Sequence, residues 1–166
     1  DRINTVSISA DGEYIVAGGY DDKVYLFDKD SSTPLWSYET GDNMDSVAIS
    51  ADGEYIVAGT YGGGVYLFNK DSSTPLWSYG TGGYVSSVAI SADGESIVAG
   101  SADKKLYLFD KDSDTPLWTY ETDDQGVTSV DISANGEYIA ANARKEIFLF
   151  DKDSSTPLWI YEADGY

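Results

Sequence analysis

The chain consists of four nearly identical repeats, and this periodicity limits its fold more than any other feature. Tryptophan returns every 41 residues, at Trp36, Trp77, Trp118 and Trp159. Phenylalanine does the same, at Phe27, Phe68, Phe109 and Phe150. A repeat of this length is one supersecondary unit, and stacked units share a continuous core. The 166 residues therefore predict one repeat domain, with units at approximately residues 1–41, 42–82, 83–123 and 124–166.

Each repeat reads as four short strands joined by turns. In the first repeat we expect strand a at residues 3–9, strand b at 13–18, strand c at 24–28 and strand d at 34–39. The connection between strands a and b contains Asp-Gly, which favours a hairpin. Proline opens strand d, where a missing backbone N–H costs least.

Strand c indicates how the repeats pack. Val24 and Leu26 point to one side, and Tyr25 and Phe27 point to the other. Both faces are apolar and must be covered, so the units are wedges that stack around an axis. Apolar residues recur nowhere at the spacing of a helix, so a helical solenoid is excluded. The fold class predicted is all-β: a β-propeller with four four-stranded antiparallel blades per chain. We expect the recurring tryptophans to be core residues.

Two known families meet in this repeat. The stretch Ser-Val-Ala-Ile-Ser-Ala-Asp-Gly-Glu-Tyr-Ile-Val-Ala-Gly at residues 46–59 resembles a WD-repeat blade, and Tyr-Leu-Phe-Asp at 25–28 stands where that family carries Trp-Asp. The segment Asp-Lys-Asp-Ser-Ser-Thr-Pro-Leu-Trp-Ser-Tyr-Glu-Thr at 28–40 is similar to PQQ-like (quinoprotein-like) repeats. The resemblance implies a propeller.

The departures from both families limit what the resemblance implies about function. The Gly-His network that ties WD-repeat blades together requires histidine, and this chain has none. Quinoprotein enzymes bind their cofactor through residues outside the shared repeat, and no such set is visible. We therefore expect no cofactor, and a quinoprotein-type enzyme fragment is only a low-ranked alternative.

Composition removes several classes of function. The chain has no cysteine and no histidine, which excludes thiol chemistry and the commonest general base and transition-metal ligand. Its formal net charge of −19 disfavours binding to nucleic acid and to anionic membranes. We expect no membrane insertion, since no segment is apolar for long enough, and we see no signal peptide. The leading prediction is a scaffold or interaction module, not an enzyme.

Four blades leave an assembly problem. An open stack would expose two blade faces of aromatic and aliphatic residues, a patch too large for a soluble monomer. We therefore predict that two chains pair head to tail into a homodimer, an eight-bladed ring with two-fold symmetry. The alternative is a closed ring of four blades. The near-identity of the repeats fits an engineered or excised half-propeller and recent natural duplication equally well.

The connections between strands b and c, and between strand d and the next strand a, vary among the repeats and emerge on one face. This variable face predicts a site for a protein, a peptide or a glycan. Its candidate residues are Tyr20, Tyr61, Tyr84, Lys104, Lys105, Arg144 and Lys145. The alternative is that these loops vary only because they are solvated.

Acidic residues suggest two further candidates. Asp110, Asp112 and Asp114 have the spacing of a calcium loop, although the glycine expected at its sixth position is Thr115. Carboxylates that cap a turn explain the same pattern, so no metal site is predicted. Asp131 occurs once, at a strand-a position that is Ser or Ala in the other repeats, and we expect it to face the central channel or a wet seam between blades. No residue is predicted to be catalytic.

Overall fold

A computed structural model describes residues 2–123 and 125–164, which form four antiparallel sheets of four strands. Blade 1 contains β1 (Ile3–Ile8), β2 (Tyr14–Gly19), β3 (Lys23–Asp28) and β4 (Trp36–Glu39). Blade 2 contains β5 (Met44–Ile49), β6 (Tyr55–Thr60), β7 (Gly64–Asn69) and β8 (Trp77–Gly80). Blade 3 contains β9 (Val85–Ile90), β10 (Ser96–Ser101), β11 (Lys105–Asp110) and β12 (Trp118–Glu121). Blade 4 contains β13 (Ser129–Ile132), β14 (Tyr138–Ala143), β15 (Glu146–Asp151) and β16 (Trp159–Glu162).

The all-β fold and its four blades of four strands are confirmed, and the strand bounds shift by one or two residues. In blade 1, strand a ends at Ile8 and strand d begins at Trp36, two residues after the proline. The first hairpin is held by Ser9, whose hydroxyl donates to Asp11 (2.6 Å) and accepts the N–H of Tyr14 (3.0 Å). Gly12 adopts a φ of 75° there, which the turn requires.

Each blade has two packed faces. We call the side that contacts the next blade along the chain the front face, and the opposite side the back face. In blade 1 the front face carries Val16, Val24 and Leu26, which pack against Val47 and Phe68 on the back of blade 2. Blades 2 and 3 meet in the same way, as do blades 3 and 4. The core is therefore three successive layers between blades.

Phenylalanine, not tryptophan, occupies the centre of these layers. Phe68, Phe109 and Phe150 are fully buried. The first three tryptophans are only half-buried and cover these rings from the outer strand, as Trp77 does for Phe109 at 5.3 Å between ring centroids. The prediction that the tryptophans are core residues is therefore confirmed in part: Trp36, Trp77 and Trp118 pack against the core from outer edge strands, whereas Trp159 is exposed.

The four blades form an open arc in which the back of blade 1 and the front of blade 4 are not covered by each other. Val6 on the back of blade 1 is 67% exposed, and Trp159 on the front of blade 4 is 49% exposed. The alternative of one chain closed into a four-bladed ring is not the arrangement observed. Within residues 2–123 and 125–164, no helix is long and apolar enough to cross a membrane.

Candidate functional site

The three internal junctions between blades repeat the same hydrogen bonds. The first kind joins the indole N–H of the outer strand to a lysine carbonyl 34 residues further along the chain. These bonds are Trp36 to Lys70 (2.7 Å), Trp77 to Lys111 (2.8 Å) and Trp118 to Lys152 (2.7 Å). Each ties the outer edge of one blade to the next.

Two further kinds of bond join the blades nearer the axis. The a–b turns are linked by backbone bonds of 3.0 Å, from Ala10 N–H to the Ala51 carbonyl, from Ala51 to Ala92 and from Ala92 to Ala134. In addition, a valine N–H donates to a hydroxyl on the preceding blade. These pairs are Val47 to Thr5 (3.2 Å), Val88 to Ser46 (3.1 Å) and Val130 to Ser87 (3.1 Å). Every internal junction therefore carries three equivalent sets of bonds.

The back face of blade 1 has the residues of a junction but no neighbour. Val6 is 67% exposed, whereas the equivalent Val47 is only 6% exposed. Ile3 and Ile8 on the same strand are also exposed, although Met44 and Ile49 at their positions in blade 2 are buried. This face is an apolar surface with the shape of a junction half.

The front face of blade 4 is the opposite half. Ile147 is 43% exposed, whereas Leu106 at its position in blade 3 is fully buried. Trp159 and Tyr161 are exposed as well. The Trp159 indole N–H has no acceptor among the described residues, unlike the other three tryptophans.

The hydrogen-bonding groups left over at the two ends are complementary. The front of blade 4 presents the Trp159 indole N–H, the Ala134 N–H and the Ser129 hydroxyl, each in the position that bonds to the next blade elsewhere. The back of blade 1 presents the matching groups, namely the Lys29 carbonyl, the Ala10 carbonyl and the Val6 N–H. The groups that bond across the internal junctions are therefore split between these two uncovered faces.

The sequence reasoning predicted the exposed apolar faces but missed these bonding groups. Most are backbone atoms, which every residue carries, so side-chain chemistry does not single them out. One signal was present, because tryptophan precedes a lysine by 34 residues in three places and Trp159 has no such partner in the chain.

Blade 4 departs from the other blades at the centre of its front face. A Cβ placed on Gly18, Gly59 or Gly100 would lie 2.5–2.6 Å from a side chain of the next blade, so these junctions admit only glycine. Asn142 occupies that position in blade 4, where its side-chain amide donates to the Thr128 hydroxyl at 2.9 Å. A partner blade therefore cannot pack here as closely as it does in the internal junctions.

Asp131 is a second residue by which blade 4 differs from the other blades. It pairs in register with Ala140, where the other blades have valine, and its carboxylate accepts the N–H of Ile132 at 2.9 Å. Its side chain lies on the exposed front face of blade 4. The expectation that it faces a seam between blades fits only if another blade covers this face.

The loop face carries an aromatic pair. Here the loop face means the end of the arc formed by the b–c and d–a connections. Tyr61 and Tyr84 are exposed and stack in parallel, with ring centroids 5.6 Å apart and 6° between the planes. Tyr20 lies instead beside Arg2, whose guanidinium is 5.6 Å from the ring centroid.

The basic candidates of this face do not join the tyrosine pair. Lys104 and Arg144 lie at hairpin tips with positive φ, and Lys145 forms an ion pair with Glu162 on the outer strand of blade 4. Lys105 begins β11, opposite Glu121 in register. The structure thus stacks two of the seven candidates, Tyr61 and Tyr84, on each other, and leaves Tyr20 on blade 1, Lys104 and Lys105 on blade 3, and Arg144 and Lys145 on blade 4.

The calcium candidate is a capped turn. The Asp110 carboxylate accepts the N–H of Asp112 at 2.9 Å, and Asp112 pairs with Lys111. Asp114 accepts from the hydroxyl of Thr115. Within the part of the chain that the structure describes, no three acidic side chains are grouped closely enough to hold a metal ion.

Two tyrosine–aspartate hydrogen bonds lie near the loop face. The hydroxyl of Tyr25 donates to Asp21 at 2.5 Å, and this bond raises the pKa of Tyr25. Burial is the largest cause of the raised pKa of Tyr107, which donates to Asp103 at 2.5 Å. Burial also raises the pKa of Asp45. Both tyrosines therefore remain protonated donors at neutral pH.

Comparison with known families agrees with this geometry. A WD domain, G-beta repeat model matches residues 1–28. No curated protein matches the chain. A repeat model of the PQQ type, described as outer membrane protein assembly factor BamB, matches residues 20–165. Because this second match spans most of the chain and agrees with its four four-stranded blades, the protein belongs to that PQQ-type repeat family.

Proposed function

We propose that this protein is a non-catalytic β-propeller module that acts by binding, and that its first partner is a second copy of itself. Two chains join head to tail, with the front of blade 4 in each covering the back of blade 1 in the other. The product is a symmetric eight-bladed ring.

One observation carries this proposal: each end of the arc lacks what the other end offers. The unused donors Trp159 and Ala134 face outward at one end, and the carbonyls that would accept them lie at the other end, on Lys29 and Ala10. Because the two faces are different, a single pair of chains forms two identical junctions and leaves neither face open. Covering both faces also removes apolar surface from water.

Analytical ultracentrifugation over a range of concentrations tests the assembly. We expect a particle of twice the 18.0 kDa of one chain. Val6→Asp places a carboxylate in the new junction and should give monomers whose circular dichroism is unchanged, because Val6 is exposed in the single chain.

Leu35→Asp is the matched control. Leu35 is exposed, and its equivalents in the other blades are exposed to the same degree, so this position lies outside the junctions. The control should remain dimeric. A particle of 18.0 kDa at all concentrations would refute the assembly, and open-ended polymers would refute ring closure while keeping the head-to-tail contact.

A second candidate function is ligand binding on the loop face, favoured by the exposed stacked pair of Tyr61 and Tyr84. Exposed aromatic rings bind the apolar faces of sugars and proline-rich peptides. Screening against glycan and peptide arrays tests this function. Tyr61→Ala and Tyr84→Ala should each abolish any binding found, and binding that survives both changes would place the ligand elsewhere.

A further inference from the structure

A carboxylate at the loop-face edge of blade 1 is incompletely satisfied. Asp21 Oδ2 accepts the hydroxyl of Tyr25 at 2.5 Å. Asp21 Oδ1 is buried and has no hydrogen-bond partner among the described residues, the one side-chain oxygen or nitrogen there of which this is true. A buried polar atom without a partner costs stability. In blade 3 the corresponding oxygen, Asp103 Oδ1, accepts the backbone N–H of Lys105 from its own blade at 3.0 Å.

The junction between blades 2 and 3 shows which donor from another blade this carboxylate accepts. Asp103 is the equivalent of Asp21, and its Oδ2 accepts the hydroxyl of Tyr107 at 2.5 Å. The same oxygen accepts the backbone N–H of Gly82 at 2.8 Å. Gly82 belongs to the preceding blade, in the segment that leaves its outer strand. The carboxylate is therefore a contact between blades.

The junction between blades 1 and 2 fills the same space from the other side. Gly62 replaces the aspartate there, and a Cβ on Gly62 would collide with the carboxylate of Asp42, which comes from the preceding blade. Both junctions thus place one carboxylate at this point, supplied once by each side. Asp21 has the corresponding place on the back of blade 1, which no blade of the described residues covers.

The residue that corresponds to Gly82 in blade 4 is Asp164. Thr81, just before Gly82, donates its N–H to the carbonyl of Gly63 at 2.8 Å. Ala163, just before Asp164, donates in the same way to Lys145 at 2.8 Å. The two segments therefore leave their blades by the same path.

We infer that the Asp21 carboxylate of one copy accepts, through the Oδ2 that already binds Tyr25, the backbone N–H of Asp164 of the second copy, so that this pair is a polar latch of the ring-closing junction. The inference rests on the proposed head-to-tail assembly. It names a backbone donor, so the latch does not depend on the side chain of Asp164. Hydrogen bonds to a charged acceptor are stronger than neutral ones, which suits a contact at a wet edge.

A double-mutant cycle measured by ultracentrifugation tests the latch. Asp21→Ala removes the acceptor, and Asp164→Pro removes the donor N–H. We expect each change to weaken the junction about tenfold. Since the ring contains this junction twice, the two effects multiply. Each single variant should therefore raise the dimer dissociation constant about a hundredfold. The double variant should be no weaker than the weaker single variant.

Asp103→Ala is the matched control, because it removes an equivalent carboxylate and the same charge from an internal junction. It should lower the melting temperature and leave the dimer dissociation constant close to that of the unchanged protein. Far-ultraviolet circular dichroism and melting of dilute samples establish that each variant folds.

The outcomes separate the latch from the assembly on which it rests. If the unchanged protein stays at 18.0 kDa, the proposed assembly is wrong. If it dimerises and Asp21→Ala dimerises equally tightly, the latch alone is wrong. If the two single effects add fully in the double variant, Asp21 and Asp164 do not contact each other, and the latch is again refuted.

Discussion

Almost the same residues form the junction between blades 2 and 3 and the two open ends of the arc. Their surroundings differ. Val88 is buried in the junction, and Val6 at the same repeat position is exposed at the open end. Trp77 finds an acceptor in the next blade, and Trp159 finds none in the described residues. Burial here is decided by the neighbouring blade, not by the residue, so one repeat can be core or surface.

The comparison also shows where the ends are not copies of a junction. The back of blade 1 keeps the aliphatic residues of the internal blades, whereas the front of blade 4 has exchanged glycine for Asn142 and valine for Ala140. Terminal repeats commonly carry more polar outer faces. The proposed ring-closing junction is consequently expected to be looser than the three internal ones and reversible by dilution.

The largest effect is expected from Phe68→Ala compared with Phe27→Ala. Phe68 is fully buried between blades 1 and 2, so its loss should lower the free energy of unfolding by about 3–5 kcal/mol. Phe27 lies on the open back face and is only partly buried. Denaturant unfolding of dilute samples should give a smaller loss for Phe27→Ala.

The difference in unfolding free energy between the two phenylalanine variants should depend on the protein concentration. If chains pair as proposed, the back face of blade 1 becomes covered at high concentration, and the loss from Phe27→Ala should approach that from Phe68→Ala. Equal losses in dilute solution would contradict the comparison, because Phe27 would then be as well packed as Phe68 in a single chain.

The next effect comes from exchanging glycine and asparagine between blades 3 and 4. Gly100→Asn would force a side chain against Val127, whose Cγ1 lies 2.6 Å from a Cβ at position 100, and should cost about 1–3 kcal/mol of unfolding free energy. Asn142→Gly removes the obstacle from the open face and should tighten the dimer several-fold. Ultracentrifugation measures the second effect. A weaker dimer would mean that Asn142 itself contacts the second copy.

The repeat made most of the fold predictable. The spacing of Trp36 and Trp77, with strands apolar on both sides, predicts four-stranded wedges, and the strands lie within two residues of their expected bounds. The half-burial of tryptophan was not predictable in this way, because a single repeat does not show that its fourth strand is an outer edge.

The candidate site was less predictable because it depends on the order of the blades in space. Asp21 and Asp103 look alike in sequence, and only the bond from Gly82 to Asp103 shows that the equivalent contact of Asp21 is missing among the described residues. The stacking of Tyr61 on Tyr84 likewise joins two loops 23 residues apart across a junction. Contacts between blades cannot be read from the sequence of a single repeat.

A smaller effect is expected from removing the indole N–H of Trp77 or of Trp159. Trp77→Phe removes the hydrogen bond to the Lys111 carbonyl and should lower the free energy of unfolding by about 1 kcal/mol. Trp159→Phe should leave unfolding of the dilute chain nearly unchanged and weaken the dimer instead. Chemical unfolding and ultracentrifugation of both variants measure the two effects. If Trp159→Phe left the dimer equally tight, its indole N–H would not bond to the second copy.

The smallest effect concerns acid stability at the a–b turns, where blade 4 again differs. The Ser91 hydroxyl, at 2.6 Å, and the Glu95 N–H hold the pKa of Asp93 below its usual value, whereas blade 4 has the uncharged Asn135. A lowered pKa in the folded state stabilises the protein above the unfolded pKa, and that stability is lost as the pH falls through the folded pKa.

Asp93→Asn should therefore flatten the fall of the melting temperature between about pH 5 and pH 2. Asn135→Asp should make that fall steeper by giving blade 4 the same turn. Both shifts should stay below about 2 °C, because solvent weakens interactions of exposed carboxylates. Melting curves across this range measure them. If both variants melted as the unchanged protein does at every pH, the turns of blades 3 and 4 would be equivalent, and the departure of blade 4 would be confined to its front face.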